Sequence, residues 1–313
     1  MNSRYLAALL LCITPISVVS AQQSFNSCDF CLASQGIAPA EAGATGLRID
    51  VRYLRLASTF REGEKVNNTD RELETHFTQQ FTLSIGLSQD VSLLAVVPVA
   101  RRYSERLAED GSMVVGDQFG VADVSVLGRW KVIEEHSMDA TTILSFVGGA
   151  KLPTGKTGGV DSRRELVDAH VQLGTGSTDI LAGVNGIFSF DRTAVIVNLL
   201  GALTGKGAHG HQFGNNLNYE AAVRYKVIPS GYGDMQVFAV LGVDGEWRGE
   251  ETQDGLADEN SGGNVTFIAP GVQWFLNPAL SLEARVEYPL FHQLHGLQLG
   301  EDFRLRGGVQ ILL

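Results

Sequence analysis

The 313-residue chain carries 24 Lys and Arg against 35 Asp and Glu, a formal net charge of −11. That acidic balance argues against nucleic acid as a partner. After the first twenty-odd residues no run of 18 apolar residues offers a transmembrane helix. The 36 glycines, against 8 prolines, are scattered among alternating Val, Leu, Phe and Tyr, the composition of a protein of many strands and turns.

The chain opens with Arg4, an apolar run over residues 5–19 and the small-residue site Val19-Ser20-Ala21. This order is that of a secretory signal peptide, expected over residues 1–21, with Gln22 as the mature start. Cys12 leaves with it. Residues 22–45 show neither strand alternation nor a helical pattern, and we expect an irregular periplasmic leader outside the barrel. Its Cys28-Asp29-Phe30-Cys31 lies in an oxidising compartment. The pair has three open readings: a passive disulfide, a thiol exchanging with a periplasmic redox partner, or a soft-metal site with a metal-handling partner. No His follows Cys31, which excludes covalent haem attachment. No second Cys pair completes a zinc site.

From residue 46 to 313 the pattern has period two. Leu47, Ile49, Val51 and Tyr53 alternate with Arg48, Asp50 and Arg52, the signature of a half-buried strand. Similar segments follow at residues 77–87, 91–99 (apolar on both faces), 122–132, 140–152, 180–190, 195–203, 217–226, 237–247, 265–275, 280–288 and 303–313. The count is twelve, or fourteen if one hairpin is hidden. An even number of ten-residue alternating segments predicts an all-β fold, an antiparallel transmembrane β-barrel of the bacterial outer membrane. The connections support it, because tight turns at 88–90, 191–192 and 276–278 alternate with long polar segments at 59–71, 104–118, 153–178, 205–215, 248–264 and 289–301. Short periplasmic turns and long outer loops are the arrangement of such barrels. Tyr53, Tyr103, Trp247 and Tyr288 then fall near the outer rim, and Trp130, Phe190, Tyr225 and Trp274 near the inner one. This topology puts both termini in the periplasm. The partners it requires are outer-membrane lipids and the barrel-assembly machinery.

The polar faces carry the chemistry. Arg48, Asp50, Arg52, Arg129, Glu220, Arg224, Glu283, Arg285, Glu287, Arg304 and Arg306 all fall on the lumen side of their strands. Such charges either pair and close the pore or face water and set selectivity for a small solute. Because the first, eleventh and last strands meet at closure, Arg48, Arg52, Arg304 and Arg306 should gather opposite Glu283 and Glu287. Other motifs read more plainly. Residues 150–157, Ala-Lys-Leu-Pro-Thr-Gly-Lys-Thr, imitate a phosphate loop, but Gly158-Gly159 follows where a helix is needed, so we read a strand end and a loop start. His209, His211, His292 and His295 are expected to be solvated loop residues. No serine sits in a nucleophile context, so no enzyme is expected, and nothing calls for a cofactor.

Lys151-Leu152-Pro153-Thr154-Gly155 at a strand end, Leu173-Gly174-Thr175-Gly176-Ser177-Thr178-Asp179, Pro270-Gly271-Val272-Gln273-Trp274 and Tyr288-Pro289-Leu290 resemble the outer-membrane barrel family labelled "MetA-pathway of phenol degradation". The resemblance covers about residues 121–313 and implies a transporter linked to aromatic compounds, without catalytic residues. The expected function is a passive channel or uptake barrel for small aromatic or anionic solutes. The alternative is a closed outer-membrane scaffold that works through Cys28 and Cys31.

Overall fold

The computed structural model describes residues 23–24, 43–137, 140–228 and 235–313. The expected signal peptide and the Cys28–Cys31 pair lie outside the described residues. Twelve long strands form the wall: β1 (Thr45–Arg61), β2 (Leu73–Gly86), β3 (Val91–Leu107), β4 (Val124–His136), β5 (Ala140–Leu152), β6 (Asp179–Phe190), β7 (Thr193–Leu203), β8 (Asn216–Lys226), β9 (Gln236–Arg248), β10 (Gly263–Asn277), β11 (Leu280–Leu294) and β12 (Leu297–Leu312). Each is antiparallel to the next, and β12 pairs with β1 from Leu297↔Arg61 to Leu312↔Gly46, which closes the sheet. Hydrocarbon offers the backbone no hydrogen bonds, so a sheet crossing it must have no open edge.

Alternation sorts the side chains between lipid and lumen. Along β1 the pattern buries Arg48, Asp50, Arg52, Leu54 and Leu56 inside. The outer surface exposes Leu83, Val126, Ile180, Val223, Leu241 and Val286, an apolar girdle. Trp130, Phe190, Tyr225 and Trp274 stand exposed near the end with the short turns, and Trp247 and Tyr288 near the other. The two ends of the barrel meet at the short-turn end, where the Leu313 N–H donates to the Thr45 carbonyl at 2.8 Å.

At the opposite end, three segments expected as loops continue the sheet. Strand β3 runs to Leu107, and Met113–Val121 returns along its outer half before β4 takes over its inner half. Likewise β11 and β12 extend to Leu294 and Leu297, so the expected loop over residues 289–301 shrinks to the turn at His295-Gly296. Pro289 suggested a strand end there because it cannot donate to a ladder. The barrel absorbs it with a register shift, in which Thr266 faces Phe291 and Phe267 faces Pro289. Strand β1 also turns back through Glu64–Val66. Of the expected leader, Gln23 and Ser24 run parallel to β12 at Gln298 and Leu299, at the end of the barrel opposite the short turns.

Glycine allows close backbone contact between β4 and β5. A Cβ on Gly149 would stand 2.1 Å from the Val126 carbonyl oxygen and 2.8 Å from the Leu127 Cα. Gly149→Val should therefore destabilise the barrel by about 1–3 kcal/mol, measured by urea unfolding in detergent micelles. An unchanged midpoint would show that the strands can separate to admit the side chain.

Candidate functional site

The lumen has two unlike walls. On β3 to β7 the inward residues Leu94, Val96, Leu127, Val147, Leu181 and Leu200 form one buried apolar cluster. On β1, β8, β9, β11 and β12 many of the inward positions are charged. Arg48 donates from Nε to both carboxylate oxygens of Asp50 at 2.8 Å, and its Nη2 lies 3.8 Å from Glu283. Arg285 holds Glu283 through Nε at 2.6 Å and reaches Glu220 on β8 through Nη1 at 2.5 Å. Glu220 also accepts from Asn198 on β7 at 2.8 Å, and Asn198 pairs with Asn185 on β6. The chain of contacts thus crosses from the charged wall to the margin of the apolar one. A second group lies further out. Arg306 pairs with Glu287 at 2.5 Å, Arg304 lies 3.7 Å from Glu287 and binds Glu301, and the Arg304 guanidinium sits 3.9 Å above the Phe267 ring. Stacking on a ring face stabilises a desolvated guanidinium.

Of the eleven residues expected in the lumen, nine are buried, and Arg224 and Glu283 are partly exposed. The gathering at closure occurs for Arg48 with Glu283 and for Arg304 and Arg306 with Glu287. Arg52 sits beside Arg306 in register and is buried. Arg129 is buried on β4, next in the lumen row to Leu127 of the apolar wall. The side chains fill the middle of the lumen, with Glu287 at 0%, Arg304 at 1% and Arg285 at 3% exposure.

The outer mouth is covered by loops. Residues 153–178 fold inward, burying Val167, His170, Val171 and Leu173, with Val167 set against Gly116. The family-like motifs hold this loop at the rim. The Asp123 carboxylate accepts from the backbone N–H of Gly155 at 2.8 Å and of Thr175 at 2.9 Å, while Lys151 binds Asp179 at 2.5 Å. Gly155 and Gly174 touch backbone to backbone, where a Cβ would come within 2.6 Å. The phosphate-loop imitation is thus a strand end and a loop start, as read from the sequence.

His170, His211 and Glu251 tie three outer loops together. Both Nε2 atoms converge on Glu251 Oε2, at 3.2 Å and 3.0 Å, and Arg248 approaches Oε1 at 3.6 Å. Beside them His211–Gln212 pairs with Glu251–Gln253 as a small sheet. His211 is therefore not the solvated residue expected. His292 also departs from expectation, stacking on Phe60 at 4.1 Å and bonding the Glu301 carbonyl at 2.9 Å. His209 and His295 are exposed. His170 and Glu251 had no signal in the sequence, since isolated polar residues in separate loops give no spacing to read. Among the described residues no group of three His, Cys, Asp or Glu is arranged to hold a metal. Between these loops a cavity of about 330 Å³ is lined by Leu166, Asp168, Gln172, His211 and Phe213.

Burial lowers the His211 pKa, but its hydrogen bond to Glu251 and that group's charge outweigh burial and hold it above the ordinary 6.5. Burial raises the Glu251 pKa, but His170, His211 and Arg248 drive it far below the ordinary 4.5. A pKa raised on folding stabilises below the ordinary value and loses that effect as pH rises through the folded one. A depressed carboxylate pKa stabilises above its ordinary value. The tie should be tightest between pH 4.5 and 6.5 and loosen above His211's raised pKa. Hydrogen exchange at Gln212 and Thr252 should accelerate there beyond the intrinsic pH effect, and Glu251→Gln should abolish the difference.

Removal of one partner from a buried ion pair leaves the other charge stranded. Arg285→Met, which strands Glu220 and Glu283, should cost about 3–5 kcal/mol in urea unfolding. A loss below about 1 kcal/mol would mean that water already solvates these carboxylates.

Comparison with known proteins places the architecture. No family model and no curated protein matches the chain. Among solved structures, the COG4313 outer membrane channel from Pseudomonas putida F1 superposes with a TM-score of 0.65 at 16% identity, over 93% of this chain and 100% of that one. More distant are the transport unit of the autotransporter AIDA-I from Escherichia coli and the CymD monoaromatic hydrocarbon channel. The first has a TM-score of 0.45 at 12% identity, over 86% of this chain and 90% of that one. The second has a TM-score of 0.41 at 9% identity, over 93% and 94%. The likeness is one of fold and agrees with the resemblance carried by the Lys151–Gly155 and Leu173–Asp179 motifs: the chain is a closed twelve-stranded antiparallel barrel with the fold of the COG4313 channel.

Proposed function

We propose that the barrel is a narrow passive channel for small amphiphilic solutes in a bacterial outer membrane, with the short turns and the C-terminal end on the periplasmic side. The division of the lumen into an apolar and a charged wall carries this reading. The apolar cluster on β3 to β7 gives a solute's ring or chain a dry surface, while Arg48, Arg285 and Arg306 offer charge to its polar end. A lumen built only for structure has no need to keep the two chemistries on opposite sides. Small aromatic and anionic molecules fit this division. No cofactor or catalytic group enters the reading, and the partners are lipid, the barrel-assembly machinery and the solute.

The nearly complete burial of the mid-lumen charges favours a second reading, a closed scaffold whose working part is Cys28 and Cys31. Planar-bilayer recordings of the refolded mature chain, with and without reductant, separate the two. The channel reading expects small discrete openings whose ion selectivity changes in Arg285→Gln and persists in Cys28→Ser. A barrel silent under both conditions would overturn it in favour of the scaffold.

A further inference from the structure

Below the ion-paired layer, at the short-turn end, the lumen opens into a cavity of about 240 Å³. It spans the barrel from β5 and β6 on one side to β8, β10, β11 and β12 on the other. Its polar side is made by Arg224, Gln273 and Gln310, and its apolar side by Ile143, Ile187, Phe275 and Leu280. A water's share of liquid volume is about 30 Å³, so the space corresponds to about eight waters. That suits a single ring or a short chain.

Two polar atoms in this lining lack hydrogen-bond partners among the described residues, Nε of Arg224 and Oε1 of Gln273, and the Gln273 residue is only 3% exposed. Arg224 makes no ion pair with a described residue, and the nearest carboxylates are engaged elsewhere. Glu283 is held by Arg285 and Arg48, and Glu220 by Arg285 and Asn198. Buried polar groups without partners are rare, and each calls for a reason. Here one is a guanidinium N–H, which binds carboxylates through charge-assisted hydrogen bonds. The other belongs to an amide that can rotate to offer its N–H to the same anion. Facing them are four apolar side chains that favour a hydrocarbon body over water.

We propose that this inner-mouth cavity is a binding site for small carboxylates with an apolar body. The carboxylate sits on Arg224 and Gln273, and the ring or short chain lies against Ile143, Ile187, Phe275 and Leu280. The site names a solute class for the channel and in that sense rests on the channel reading, but binding can be measured without conduction.

The test is isothermal titration of the mature full chain in detergent micelles with four probes: benzoate, hexanoate, benzyl alcohol and acetate. Benzoate and hexanoate should bind, whereas benzyl alcohol (body without charge) and acetate (charge without body) should bind at least about tenfold more weakly. Arg224→Gln should weaken benzoate about tenfold and leave benzyl alcohol unchanged, and Arg224→Lys should restore part of the loss. Glu283 and Glu220 keep Arg285 when Arg224 is replaced, and unchanged circular dichroism of both variants would show that the barrel is intact. Gln273→Leu, which fills the same space without the amide, should also weaken benzoate. Equal binding of benzoate and benzyl alcohol, or benzoate binding indifferent to Arg224→Gln, would overturn the site. Binding that obeys these rules in a barrel silent in bilayers keeps the site and overturns the channel reading. Conductance with no Arg224-dependent binding does the reverse.

Discussion

Closure governs this structure. In hydrocarbon every backbone N–H and C=O must find a partner within the protein. The pairing of β12 with β1 over Leu297–Leu312 removes the last open edge. Once the sheet is a closed cylinder, alternation admits only two environments, lipid and lumen. Charged side chains within the lipid-facing part of the wall must then face inward, and the lumen must reconcile them. Ion pairing follows from this geometry. Arg48, Glu283, Arg285 and Glu220 join because strands far apart in sequence face one enclosed space.

The same constraint made most of the fold legible. A strand with lipid on one side cannot break alternation without exposing a charge to hydrocarbon, so the wall segments announce themselves. All twelve predicted segments correspond to the twelve wall strands. Legibility ended where the lipid ended. Beyond the membrane rim, Met113–Val121 and the outer parts of β11 and β12 are strands whose two faces are no longer apolar and polar. Gly116, Asp117, Gln118 and Gly120 in the first, and Pro289 in the second, look like loop residues because small, polar and proline residues show no alternation, while backbone pairing makes them strand. Nor could the inward fold of residues 153–178 be read. Its anchors, Val167, Val171 and Leu173, are three apolar residues without periodicity in a polar segment.

The lumen charges were legible as positions, and as partners only where the first, eleventh and last strands meet at closure. Parity places Arg285 inside, yet nothing in the sequence says that it spans from Glu283 on its own strand to Glu220 on β8. Contacts across a lumen depend on shear and on barrel diameter, which a list of strands does not give. The same gap hid His170 and Glu251, brought together by three loops that only closure makes neighbours. The glycine-rich motifs illustrate the converse case. Gly155 and Gly174 are readable as a pattern because their backbones must touch, and no other residue fits there.

The two walls bear differently on what could move through the barrel. On the apolar wall, Leu94, Val96, Leu127, Val147 and Leu181 form one contiguous buried cluster. A hydrocarbon body sliding along it separates no ion pair and strands no charge. The opposite wall offers arginines in succession, Arg304 and Arg306 toward the outside, Arg285 and Arg48 in the middle, and Arg224 at the inner mouth. On the channel reading, a carboxylate that reaches Arg224 meets a guanidinium that makes no ion pair with a described residue, so binding there displaces no internal acceptor. On the channel reading proposed above, the filled lumen acts as a filter rather than a plug, because a solute with an apolar body and a charged end can engage both walls while the hydrogen-bonded cylinder around them stays closed.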